Sequence, residues 1–186
     1  PSNVSHILIS EIQITGGSGQ TTNDFIEIYN PTSASVNLNG YRLVKRSANS
    51  DSDTLIKSWT SDAFIPAHGF YLWANSDYTN IVITPDIVTS VSIAHNNGIA
   101  IRLGSNNTGT IIDSVAWGEV QNGFGEGVLL SGILEANQSF ERKVWQESCL
   151  SSYGSGEYLG NGCDTNNNIE DFEIRTSSNP QNTVST

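Results

Sequence analysis

Between residues 24 and 44 the chain reads DFIEIYNPTSASVNLNGYRLV, and its side chains repeat with a period of two. Phe25, Glu27 and Tyr29 fall on one side of an extended segment and Ile26 and Ile28 on the other, which is the spacing of a β-strand. Asn30-Pro31 ends the run, because proline has no N–H with which to continue a ladder. Val36 and Leu38 alternate with polar residues as far as Asn39-Gly40, a pair suited to a tight turn with positive φ, and Tyr41-Arg42-Leu43-Val44 resumes the pattern. Further strands are expected at 7–14, 54–59, 69–74, 88–94, 98–103, 110–117 and 138–145, separated by Asn, Gly, Ser and Asp clusters, and helical periodicity is nearly absent. Such a chain buries its apolar side chains by stacking or closing sheets, so the fold class is all-β. Within 7–14, Ile7 and Ile9 have one parity and Ile12 and Ile14 the other, so Ser10-Glu11 is expected to hold a β-bulge or a crossing between sheets.

At 186 residues and 37% hydrophobic content the chain can bury a core of one domain plus an extension. The expected division is a β-sandwich over residues 1–146 and a Gly/Asn-rich extension over 147–186 that ends in a short strand at 172–174. Eight basic residues against nineteen acidic ones give a net charge of −11, which disfavours nucleic acid and anionic membrane surfaces as partners. No stretch reaches the apolar length of a membrane helix and no signal segment opens the chain. A start at Pro1 and the absence of methionine suggest a piece of a longer product, with flanking domains in the parent chain.

The order of segments resembles the lamin tail domain family. The strand ending in Glu27-x-x-Asn30-Pro31 is followed by Val36-x-Leu38-x-Gly40-Tyr41-x-Leu43, then by 64–74 with its proline–glycine turn, FIPAHGFYLWA. The hairpin 97–103 and 109–118 carries a Val/Ile-Asp-x-Val-x-aromatic-Gly strand (Ile112-Asp113-Ser114-Val115-Ala116-Trp117-Gly118), and Ser139-Phe140-Glu141-Arg142 is similar to the Ser-x-Glu-Arg strand of bacterial members. Asp164-Thr165, Asn168, Asp171-Phe172 and Pro180-Gln181-Asn182 resemble the closing element of those members. The resemblance implies an immunoglobulin-like β-sandwich that serves as a binding module. No coiled-coil heptads precede it, and the acidic balance is unlike that of a chromatin-facing nuclear lamin, so a bacterial or extracellular type is expected.

Cys149 and Cys163 lie fourteen positions apart in a Gly/Ser-rich stretch. A disulfide is the favoured reading and two free thiols the alternative; zinc is disfavoured, since two cysteines without a neighbouring histidine cannot complete a tetrahedral site. A disulfide would place the chain in an oxidising compartment, secreted or at a cell surface. The segment CDTNNNIEDFE sets oxygen donors at Asp164, Asn166, Asn168 and Glu170, with Asp171 adjacent. This spacing can wrap around Ca²⁺, although Ile169 stands where an EF-hand-like loop wants glycine and Arg175 where it wants a bidentate glutamate. The competing reading is an Asn-rich turn leading into the last strand.

Glu11 and Glu27 are expected to act structurally, accepting hydrogen bonds from loop amides, rather than as an acid/base pair. His6, His68 and His95 sit in three unrelated contexts, and no Gly-x-Ser-x-Gly elbow is present. Trp59, Trp73, Trp117 and Trp145 lie on strands and are expected in the core in preference to a sugar- or base-stacking platform. Arg42, Lys45 and Arg46 form the one local basic cluster, read as a solvated strand face. The functional expectation is a non-catalytic interaction or attachment module of a larger exported protein, with a protein or cell-surface polymer as partner. The alternative is a metal-assisted hydrolase, or an accessory domain of one, built on the acidic C-terminal loop; nucleic-acid binding ranks third.

Overall fold

The computed structural model describes residues 4–153 and 159–185. Two sheets are stacked. The larger runs in the order β14 (Phe172–Arg175), β11 (Ser139–Arg142), β1 (Leu8–Gln13), β2 (Phe25–Tyr29), β7 (Phe70–Asn75) and β8 (Ile87–Thr89), antiparallel except for the last pair. The smaller is antiparallel, in the order β10 (Thr110–Trp117), β9 (Asn97–Leu103), β4 (Tyr41–Ser47) and β5 (Thr54–Ser58). Two short pairs flank them: β3 (Val36–Asn37) with β6 (Phe64–Ile65), and β12 (Val144–Trp145) with β13 (Cys149–Leu150). A single helical turn, α1 (Asn168–Asp171), precedes β14. This is the immunoglobulin-like sandwich that the family resemblance implies.

The alternation decides which side chains meet between the layers. Ile12, Ile26, Ile28 and Trp73 come from the larger sheet, and Leu43, Ile99, Ile101 and Val115 from the smaller, to form one continuous core. Both outer faces are covered as well. Phe25, Leu72 and Ala74 lie beneath Tyr78, Ile81 and Ile83, while Val44, Ala100 and Ala116 lie beneath Phe124. As a result β1, β2, β7 and β11 are buried along their whole length, a condition that demands a partner for every polar atom they carry.

Two of the expected strands differ from the structure, for one physical reason: side chains and neighbouring loops claim the backbone groups that a ladder would use. The run expected at 88–94 is a strand only over Ile87–Thr89, since the Ile93 N–H donates to Asp24 Oδ2 at 2.8 Å and the Val91 carbonyl accepts from Asn75 Nδ2 at 3.3 Å. The run expected at 138–145 is divided at Lys143, whose N–H donates to the Asp171 carbonyl at 2.7 Å and whose carbonyl accepts from Cys163 N–H at 3.0 Å. The bulge expected at Ser10-Glu11 is present as a register shift between Ile9 and Glu11. Gly40, with φ of 90°, makes the turn after Asn39, where the Tyr41 N–H closes on the Leu38 carbonyl at 2.8 Å. Of the residues beyond 146, Phe172–Arg175 form an edge strand of the larger sheet, Glu141 facing Glu173.

Candidate functional site

The most deeply buried charges join the two sheets. Arg142, whose side chain is fully buried, projects inward from β11 and donates through Nη2 to both carboxylate oxygens of Asp113 on β10, each at 2.9 Å. Asp113 lies at an irregularity of its own strand, where the register with β9 shifts between Ile111 and Asp113. Opposite it, the bulge in β1 releases the backbone of Ile9. The Ile9 N–H donates to Asp113 Oδ2 at 2.6 Å, and the Ile9 carbonyl accepts from Arg142 Nε at 2.7 Å. Arg142 Nη1 donates to the Cys163 carbonyl at 2.8 Å and lies 3.7 Å from Asp171 Oδ2, while its guanidinium covers the Phe172 ring at 4.5 Å. Burial pushes the Asp113 carboxyl up, and the guanidinium and the Ile9 N–H pull it back. Chemically this pair satisfies the Ile9 N–H and carbonyl beside the β1 bulge and the carbonyl of Cys163.

Cys149 and Cys163 form a disulfide with their Cα atoms 5.3 Å apart, anchoring the extension beside Arg142. The structure brings together only two of the five oxygen donors read from the sequence. Asp164 and Asp171 converge with Glu126, one oxygen of each lying within 4.8 Å of the others. Asn166 and Glu170 are exposed. Asn168 is buried and stands in for a missing strand beside β10: its Oδ1 accepts from the Ala116 and Glu126 N–H groups at 3.2 and 3.1 Å, and its Nδ2 donates to the Ser114 carbonyl at 3.2 Å. Asp171 already accepts from Thr165 N–H and Oγ1 at 2.9 and 2.6 Å. Glu126, the member of this group that the sequence reading missed, is pushed up to about 7 by burial and by Asp113. It lies in a loop without motif or periodicity, so only coordinates could place it there.

A second row of carboxylates crosses the larger sheet in register: Glu141 on β11, Glu11 on β1 and Glu27 on β2. The C-terminal segment lies over this row. Asn179 N–H donates to Glu11 Oε1 at 3.1 Å, Gln181 N–H to Glu27 Oε2 at 2.6 Å, and Thr183 N–H to Asp86 Oδ2 at 3.2 Å. Ser139 and Ser10 hydroxyls donate to Glu11 and Glu27 at 2.5 and 2.6 Å, and Arg175 pairs with Glu141 at 2.6 Å. Burial, then Glu141, raises Glu11 to about 7; burial, then Glu11, raises Glu27. These glutamates have the structural use expected of them.

Trp59, Trp73 and Trp117 are buried in the core, their indole N–H groups donating to Tyr71 Oη, Thr89 Oγ1 and the Ala94 carbonyl, while Trp145 is half-buried. The basic cluster divides. Arg46 joins Arg102 on Asp53 over the Phe124 ring, Lys45 reaches the Ser92 carbonyl, and Arg42 reaches the Gly104 carbonyl. His6 approaches Asp164 at 3.6 Å, His68 occupies a turn with φ of 55°, and His95 borders a groove. That groove, of about 850 Å³, runs between 95–96, 118–119 and 128–133. Its sequence signal is Val128-Leu129-Leu130-Ser131-Gly132-Ile133, an aliphatic run outside any strand, which the sequence reading passed over.

A stacked pair of sheets joined by loops defines a β-sandwich. The chain matches the Lamin Tail Domain family over residues 1–119, and it belongs to that family. The family is one of immunoglobulin-like binding modules. No curated protein matches the chain. No helix among the described residues is long and apolar enough to cross a membrane.

Proposed function

We propose that this chain is a non-catalytic interaction module of a larger exported or cell-surface protein, holding a protein or surface-polymer partner through its loops. The observation that carries the reading is how the buried charges are used. Arg142, Asp113, Glu11 and Glu27 hold backbone and strands inside the fold, while the groove that faces solvent is walled by aliphatic loop residues. The disulfide suits an oxidising compartment, and the net charge of −11 weighs against nucleic acid and anionic membrane as partners.

The competing reading, a metal-assisted hydrolase or its accessory domain, draws on the approach of Glu126 to Asp164 and Asp171. Arg142 beside Asp171 already supplies a cation there, which disfavours a second one. Calorimetric melting with and without millimolar Ca²⁺, paired with turnover assays on phosphoester, peptide and glycoside substrates, tests both. We expect no turnover and no Ca²⁺-dependent rise in Tm. A rise without turnover adds a structural ion to the module; turnover overturns the module reading.

A further inference from the structure

The groove has an extension and a charge. A smaller cavity of about 180 Å³, lined by Ile169, Phe172 and Ile174, meets it at Leu130 and Ser131. The two are parts of one surface, since Ile169 N–H donates to the Val128 carbonyl at 3.0 Å and Ile174 Cδ1 lies 3.3 Å from where a Cβ on Gly132 would stand. The segment is fixed in place. Leu130 forms a parallel bridge to Trp117 and is buried, so its neighbours are held outward: Ile133 is 77% exposed and Val128 60%, with Ile174 and Ile169 also exposed. A contiguous aliphatic patch on an anchored loop marks an interaction site.

The rim is acidic. Glu119 lines the larger cavity, Glu170 is exposed beside Ile169, and Glu135 is exposed two residues beyond Ile133; Glu173 lines the smaller cavity, its Oε1 held by Ser151 Oγ and by Ser152 N–H and Oγ at 3.0, 2.6 and 2.7 Å. Neither cavity is lined by lysine or arginine; Arg175, adjacent to Ile174 in the chain, pairs with Glu141 at 2.6 Å, and Lys143 donates to the Glu170 carbonyl at 2.7 Å. We infer that this groove binds an extended segment of a partner protein whose aliphatic side chains are flanked by lysine or arginine. The inference rests on the module reading above and names the partner chemistry of that surface. The aliphatic side chains fill the two cavities on either side of Leu130, and the flanking cations meet the carboxylate rim, which steers the encounter and rejects acidic segments.

The test is an array of ten-residue peptides with alternating valine and isoleucine, in three sets that differ only in lysine, serine or glutamate flanks, probed with the intact protein. The expected result is a lysine-flanked set bound at least about tenfold above the glutamate-flanked set, with a preference that weakens in high salt. Val128→Asp with Ile133→Asp should abolish the signal and leave Tm within about 2 °C of the parent, because both side chains are exposed. Glu119→Lys should narrow the lysine preference. Equal binding of all three sets, binding untouched by V128D/I133D, or no binding by any set overturns the groove assignment. Each of these results, without turnover in the hydrolytic assays, leaves the module reading in place; turnover removes that reading whatever the array shows.

Discussion

Asp113→Ala isolates what the β1 bulge requires. The substitution removes both 2.9 Å bonds to a guanidinium whose side chain is fully buried, and it removes the acceptor of the Ile9 N–H at 2.6 Å. Leaving one partner of a buried pair uncompensated costs about 3–5 kcal/mol. An orphaned buried N–H adds about 1–3 kcal/mol. The two overlap, so about 4–6 kcal/mol is expected, a large share of the roughly 5–15 kcal/mol that holds a domain together. At about 2–4 °C per kcal/mol for a chain of this size, Tm should fall by at least about 8 °C. Urea unfolding at pH 7, followed by the fluorescence of buried Trp73 and Trp117, should show the midpoint moving with the slope unchanged. Arg142→Met should be as damaging, because it breaks the same pair and frees the Ile9 and Cys163 carbonyls. The double variant should fall short of the sum of the two single effects by about 2–3 kcal/mol. A loss below about 1 kcal/mol for D113A, or simple addition of the two single effects, would refute the account.

Glu11→Gln tests the carboxylate row: burial and Glu141 raise Glu11 from 4.5 to about 7, so the folded state holds a proton there that the unfolded chain releases. The associated stability is therefore present below pH 4.5 and lost as pH climbs through about 7, a fall of up to about 3 kcal/mol. Midpoints measured at pH 4.5, 6 and 8 should show at least that fall in the parent and a shallower one in E11Q, where Glu27 remains; an unchanged slope in E11Q would remove Glu11 from the explanation. Replacing Cys149 and Cys163 by serine opens a closure of fourteen positions and should lower stability by about 3 kcal/mol, with the parent in reductant matching the variant. Hydrogen exchange should then rise first around Cys163 and Lys143, and protection there that survives reduction would argue against the disulfide as the anchor.

How far the sequence discloses this molecule depends on whether a feature is local. The strands at 25–29, 54–58 and 110–117 follow from alternation within a few residues, and the phase change at Ser10-Glu11 marks the bulge for the same reason. Asp113 and Arg142 stand within recognisable strand patterns, yet nothing in either pattern says that the two residues meet, because the stacking of two sheets brings them together across 29 positions. The donor set at 164–171 shows the limit most clearly. Regular spacing put five oxygens on one loop, whereas the fold turns Asn168 inward to β10, leaves Asn166 and Glu170 in solvent and brings Glu126 from a distant loop. The apolar groove has a plain local signal, aliphatic residues where no strand can use them, but only the anchoring of Leu130 determines which of them face outward.

The Ile9–Asp113, Ile9–Arg142 and Glu27–Gln181 hydrogen bonds span 104, 133 and 154 positions. During synthesis Ile9 therefore lacks these partners until the chain has been made as far as Arg142. Contacts of such range make for slow maturation and a prolonged sticky intermediate, so a fragment cut at residue 119 would keep the family signature yet stall in that state.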